Sequence, residues 1–294
     1  MRRLLLLGLA ISLLGWTAWS YGSVSLSHGA ATSAIPIPEE GAVADGHYAN
    51  RYFNLSYSLP QGWTTGLAGP DPSEIGYYVL SSLVPTGERD STILITAQDM
   101  FFATKPDSDL AAAASDFREA MARVDGMTID HEPSETTIAG HPMWRVDFSG
   151  VGLYRGMYVT EIRCHFVSFN LTARSPERLA ELARTLDDLS VAAGKDATAT
   201  DPVCIKDYAV AENLLRRVEP IPVGPKFTSI PVRIIIDGNG NVKHAHVIHA
   251  SAEQRQSIED ALRQWTFKPP RIGGAAVEVE TGLVFRFTAQ SPSQ

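Results

Sequence analysis

The sequence predicts an α+β chain of two domains, and three observations carry that reading. Apolar residues recur at period two in many short segments, as in half-buried strands, and only a few segments switch to the spacing of an amphipathic helix. The stretch "AAGKDATATDP" at residues 192–202 breaks all periodicity and reads as a linker. The length of 294 residues suits two ordinary domains behind an export segment. The expected boundaries are an N-terminal signal or anchor at 1–20, a flexible lead at 21–46, a first domain at 47–193, a linker at 194–207 and a second domain at 208–290.

Arg2 and Arg3 precede "LLLLGLAISLLGW" and then small residues at Ala18 and Ser20. A short basic region, an apolar run and a small-residue site make a secretory signal. The alternative is an uncleaved anchor over residues 4–19, short of the about 20 apolar residues that a span needs. Both readings put the rest of the chain outside the cytoplasm, in the periplasm. The following "SHGAATSAIPIPEEGAVADG" is small and polar and reads as a flexible lead.

The first domain opens with Phe53, Leu55, Tyr57 and Leu59 at period two, closed by Pro60-Gln61-Gly62. Residues 75–84 and 92–98 are further strands, rich in β-branched and aromatic residues. Residues 110–124 form a helix with Leu110, Ala114, Phe117 and Met121 on one face and Ser108 or Asp109 as its cap. Residues 136–138 and 143–148 flank "AGHP" as a hairpin, and 153–173 hold two strands turning near Arg163. Ser175-Pro176 opens a second helix, serine at the cap and proline in the first turn, with Leu179, Leu182, Ala183 and Leu186 as its buried stripe. "YANRYFNLSYSLPQGW", the antiparallel strands and a late helix ending in "LDDLSV" resemble the PsbP-like proteins. That resemblance implies an antiparallel-sheet α/β sandwich, used for binding or assembly, and carries over no catalytic residue.

In the second domain Val232, Ile234 and Ile236 alternate with Arg233 and Ile235. "DGNGN" supplies the positive φ angles of a hairpin turn, and residues 242–248 return antiparallel. Ser251 with Gln254 three residues on is a capping box. Ile258, Ala261, Leu262 and Trp265 form one apolar stripe, and Trp265 is the expected core anchor. Gly273-Gly274 turns the chain into residues 277–287, where Val277, Val279, Thr281, Leu283, Phe285 and Phe287 alternate with Glu278, Glu280, Val284 and Arg286. Three antiparallel strands and one helix make a two-layer module. The hairpin, "ALRQWTFKPP", the Gly-Gly turn and "VEVETGLVFRF" together resemble the C-terminal domain of the TonB family over residues 208–288. The resemblance implies recognition of a protein partner by strand addition at a sheet edge, here Val277, Val279, Thr281, Leu283, Val284 and Phe285. The chain departs from the family: Ile221 stands for a tyrosine, the Pro-rich spacer is missing, and the anchor lacks its histidine. Energy transduction is therefore not expected.

Other chemistries find little support. His244 and His246 share one strand face, as two weak metal candidates, but no third ligand stands nearby. The alternative function is a metal-binding or enzymatic envelope protein using that face or a cleft in the first domain. "GNG" and "GVGLYRG" are not phosphate loops, since no third glycine and no helix follow. A net charge of -8 argues against nucleic acid. Cys164 and Cys204 are disulfide candidates in an exported protein. The expectation is a non-enzymatic, cofactor-free envelope protein with a protein partner, or a homodimer through the same edge. Membrane contact is expected only through an uncleaved N-terminal segment.

Overall fold

The computed structural model describes residues 35–87, 90–105, 109–191, 202–224 and 227–287. The signal or anchor at 1–20 and most of the linker at 194–207 lie outside these residues. The chain before Pro60 builds a small antiparallel sheet from β1 (Ala42–Ala44), β2 (His47–Asn50) and β3 (Leu55–Ser58). A larger antiparallel sheet begins with β4 (Trp63–Thr65), β5 (Tyr77–Pro85) and β6 (Ser91–Asp99). After α1 (Leu110–Ala122) it continues with β7 (Met127–Ile138), β8 (His141–Gly150), β9 (Leu153–Ile162) and β10 (His165–Ala173). Then α2 (Pro176–Thr185) leads to β11 (Leu189–Val191), which closes the small sheet against β3. The seven strands of the larger sheet run in the order β4-β5-β6-β10-β9-β8-β7.

Alternation explains how this sheet is covered. On β10, His165, Val167, Phe169, Leu171 and Ala173 are buried while the residues between are half-buried. The buried set packs with Tyr48, Leu55 and Tyr57 of the small sheet and Leu182 and Leu186 of the α2 segment. The opposite face carries Val146, Met157 and Val159 against Ala114 and Phe117 of α1. Both helices start as expected from composition: Asp109 Oδ1 accepts from Ala112 N, and Ser175 Oγ accepts from Arg178 N.

Two local expectations are corrected. The lead expected to be flexible up to residue 46 carries structure from Pro38 on. Pro38 is buried, the Asn50 amide donates to its carbonyl at 2.8 Å, and β1 pairs with β2. "PIPEE" has no period, so composition alone hides this docking. The strand expected from Phe53 begins only at Leu55, because Asn54 turns the chain with φ 49°.

The second lobe starts with β12 (Val203–Cys204) and β13 (Leu214–Arg216). Its main hairpin is β14 (Ser229–Ile236) and β15 (Val242–Val247), followed by α3 (Ala252–Leu262). Short strands β16 (Thr266–Phe267), β17 (Arg271–Ile272) and β18 (Ala275–Ala276) lead to β19 (Val279–Arg286). The sheet order is β12-β19-β14-β15. The three long strands are antiparallel, as expected, and β12 joins as a fourth, parallel strand. At the hairpin turn Asp237 Oδ1 accepts from Asn239 N and Asn241 N. Gly240 there has φ 89°, and a Cβ on it would collide with the Phe267 carbonyl. Only glycine serves.

Helix α3 begins with the capping box of Ser251 and Gln254. Gln254 also clasps Phe227, donating to its carbonyl at 2.7 Å and accepting from its amide at 3.3 Å. Ile258, Leu262 and Trp265 pack on Val232, Ile234 and Phe285. The Trp265 indole N–H donates to Val218 O at 2.7 Å, so a large apolar ring is buried without an orphaned donor. Trp265→Ala is expected to cost about 3–5 kcal/mol, read as a lower urea midpoint. An unchanged midpoint would show that the ring is not part of the core.

Candidate functional site

Strand β19 has one side fully paired and one side partly free. Its partner β14 takes every residue from Val279 to Arg286. Phe287 N donates to Thr228 O, whereas Glu278 O and Glu280 O accept from Val203 N and Ile205 N on the far side. Strand parity therefore turns the backbone of Gly282, Val284 and Arg286 away from β14. Beside them runs an open groove of about 820 Å³, lined by Leu214, Arg217, Pro220, Pro222, Trp265 and Phe287 as well as the strand itself. Val284 is 42% exposed at its rim, and Leu215 and Ile221 are exposed nearby. The groove combines apolar walls with unpaired main-chain groups.

The other face of the same sheet is closed. β14 is buried at every residue but its first. Its Ile230, Val232 and Ile234 face α3, and Arg233 faces the first lobe. Arg233 is 2% exposed, Asp99 0% and Glu280 3%. Arg233 Nη1 lies 2.7 Å from Asp99 Oδ2, and its Nε donates to Glu280 Oε1 at 3.3 Å. Glu280 also accepts from the Tyr52 hydroxyl at 2.9 Å and from Arg163 Nε at 3.2 Å. The Arg233 guanidinium stacks on Phe101, 4.4 Å from the ring centroid, and Arg163 stacks on Tyr52 at 4.0 Å. A Cβ on Gly282 would come within 2.7 Å of Phe101, so the missing side chain lets β19 approach the first lobe.

The electrostatics follow from this sharing. Burial raises Asp99 above its usual value, and Arg233 only partly opposes that. Burial also works to raise Glu280, but Arg233, Arg163 and the hydrogen bonds outweigh it and hold Glu280 below its usual value. His165 lies beside Asp99, Nε2 to Oδ2 3.6 Å, with its other ring nitrogen 2.8 Å from Arg163 O. The turn that presents Arg163 and Cys164 has both residues at positive φ, 51° and 55°, as a two-residue hairpin turn requires. Cys164 is bridged to Cys204 of β12.

The expected partner edge is thus shorter than its sequence implied. Val277 precedes β19, Val279 is paired with Val203 of β12, and the Thr281 hydroxyl donates to Lys206 O at 2.8 Å. Leu283 and Phe285 turn their side chains to the α3 side, and Val284 stays at the open edge. Two-residue β12 shows no period, so no sequence pattern announces the cover. His244 and His246 were expected on an open face and are instead covered by the first lobe. His246 Nε2 sits 3.1 Å from Glu39 Oε1. Burial, then His246, lowers His244. The space between them, Pro36, Tyr52 and Glu280 is about 10 Å³, room for roughly one water. Among the described residues no three His, Cys, Asp or Glu side chains form a metal set. Asp99, Arg163, His165 and Arg233 were missed. Asp99 continues the buried parity of Ile93, Ile95 and Ala97, and that misplaced charge is the signal that could have found it.

No family model matches the chain, and no curated protein matches it. Among solved structures the chain is similar to the cyanobacterial PsbP of Synechocystis, at 16% identity and a TM-score of 0.37, over 51% of this chain and 96% of that one. It is also similar to LpqN, involved in cell envelope biogenesis of Mycobacterium tuberculosis, at 16% identity and a TM-score of 0.33, over 47% of this chain and 82% of that one. A third is the Ran-binding protein Mog1p of Saccharomyces cerevisiae, at 14% identity and a TM-score of 0.31, over 47% and 90%. No helix among the described residues is long and apolar enough to cross a membrane.

Two outcomes follow from the charge cluster. Arg233→Met leaves two buried acids without their shared cation and is expected to cost about 3–5 kcal/mol at neutral pH. Urea unfolding with parental stability would show that the acids do not depend on Arg233. The second concerns pH. Burial, then the charge of Arg233, holds His165 well below its usual 6.5. The unfolded chain takes up a proton near pH 6.5 that the folded protein refuses. This contribution is complete above 6.5 and is lost as pH falls below it, at up to about 1.4 kcal/mol per pH unit. His165→Gln should flatten that part of the stability profile; an equal slope in both proteins would assign the dependence to other groups.

Proposed function

We propose that this chain is an exported, non-enzymatic cell-envelope protein that recognises a protein partner by strand addition on β19. The observation that carries the reading is the free backbone of Gly282, Val284 and Arg286 beside the groove under Trp265. An incoming strand would gain main-chain hydrogen bonds there, and the groove would take its alternate side chains. The TonB-like order of motifs in residues 208–288 supports the same surface, while the absent spacer and anchor histidine argue against energy transduction. A periplasmic setting agrees with the export-type N-terminus and with the Cys164–Cys204 bridge. The alternative is a metal-binding or enzymatic envelope protein using the His244/His246 face, where the space beside the two rings is about 10 Å³, or a cleft in the first domain.

The test is a photo-crosslinking amino acid at Val284 in cells, with the same probe at Val151, an exposed turn tip of the first lobe, as control. Discrete adducts are expected from Val284 alone. Val284→Pro removes one outward N–H, so the protein should stay folded by circular dichroism while crosslinking from Arg286 falls by about tenfold. An adduct of twice the chain mass identifies a second copy as the partner strand. Equal adducts from Val151, or adducts from Arg286 indifferent to the proline, would refute edge recognition.

A further inference from the structure

Strand β12 occupies the first rungs of the edge that a partner would use. Its two residues pair with Val279 and Glu280. Val203 N donates to Glu278 O at 2.8 Å and Ile205 N to Glu280 O at 3.0 Å. Such a short strand is well under the length that holds itself in a sheet. Its side chains add little anchorage, since Val203 is exposed and Ile205 only half-buried. The bond from Cys204 to Cys164 fixes it from the first lobe, beside the Thr281 hydroxyl that donates to Lys206 O at 2.8 Å. Cys164 belongs to a tight turn of the first lobe, whose carbonyl accepts from Met100 N at 3.0 Å. A marginal strand is thus pinned covalently to a rigid turn. β19 itself does not need β12, because β14 pairs along its whole length and the Glu280 carboxylate is held by Tyr52, Arg163 and Arg233.

We propose that the Cys164–Cys204 disulfide is a redox-operated cover on the docking edge: its reduction frees β12 and extends the open backbone of β19 from Gly282 back to Glu278. The inference rests on the strand-addition reading. The reductant is a dithiol. One of its thiolates attacks a sulfur of the pair, the Sγ–Sγ bond breaks, and the other cysteine leaves as a thiolate. The second thiol of the reductant resolves the mixed disulfide. Two electrons pass to the protein, two protons end on Cys164 and Cys204, and the reductant departs as its own disulfide. Both cysteines are only partly buried, so a thiolate can reach them. A partner strand then replaces the hydrogen bonds that β12 gave up and gains the outward groups of Glu278 and Glu280.

Hydrogen exchange on the full chain tests this, comparing the oxidised protein, the protein treated with dithiothreitol, and the Cys164→Ser/Cys204→Ser variant. The amides of Val203 and Ile205 should exchange at least about tenfold faster without the bridge, while those of β14 stay protected. The yield of adduct from the Val284 probe should rise in the same state. Should the double variant fail to fold, dithiothreitol on the parent chain makes the same comparison. Unchanged protection at Val203 and Ile205, with normal adducts from Val284, overturns the cover alone. Loss of protection in β14 as well overturns it by showing that the bridge holds the whole lobe. Freed amides with an unchanged adduct yield sever the bridge from docking and end the proposal. No Val284 adduct in either redox state overturns the docking reading, and the cover with it.

Discussion

Everything in the second lobe is arranged around one guanidinium that cannot lose its charge. Arg233 sits in the middle of β14, out of water, and its burial is tolerable only with anions in contact. One anion comes from its own sheet, Glu280 on β19, and the other from the first lobe, Asp99 at the end of β6. That division fixes how the lobes meet. A slip of the second sheet by one residue would carry Arg233 and Glu280 together away from Asp99 and leave that carboxylate unmatched. The close approach of Phe101 to Gly282 supports the same register sterically, since a Cβ there would come within 2.7 Å of Phe101. Replacing such a cluster by well-packed apolar residues is often neutral or stabilising elsewhere, so its value here lies in register rather than in added stability.

Much of the local structure was legible in the sequence. The Ser175-Pro176 and Ser251/Gln254 helix starts, the "DGNGN" turn and the burial of Trp265 each depend on residues within about one turn or one hairpin of one another, and propensity acts over that range. What stayed hidden depends on contacts across the chain. Arg233 and Glu280 alternate with apolar residues just as solvent-facing charges do, and period two cannot say whether the second face of a sheet meets water or another lobe. The one hint is Ile235, an apolar residue on the supposed polar face of β14, buried like its neighbours. The docking of Pro36–Pro38 and the pairing of Val203 were likewise invisible, because segments of two or three residues have no measurable period.

Strand β19 therefore serves three surroundings at once. Its odd-numbered side chains Leu283 and Phe285 belong to the α3 core. Its Glu280 belongs to the contact between lobes. The backbone of its last residues belongs to neither. A strand so constrained on both faces is stiff, and a stiff edge is a better template than a mobile one, since little ordering entropy remains to be lost when another strand arrives.

The Cys164–Cys204 bond also divides the chain mechanically. It spans a sequence separation of 40 residues and encloses β10, α2 and β11. Tension applied between a docked β19 and the N-terminal end of the protein would travel through the sulfur bridge and bypass that loop. Fully stretched, the enclosed segment amounts to roughly 140 Å of chain. While the bridge is intact, that slack is unavailable, and the protein behaves as a short tether. With the bridge cut, that length joins the reach of whatever β19 holds only once β10, α2 and β11 unfold.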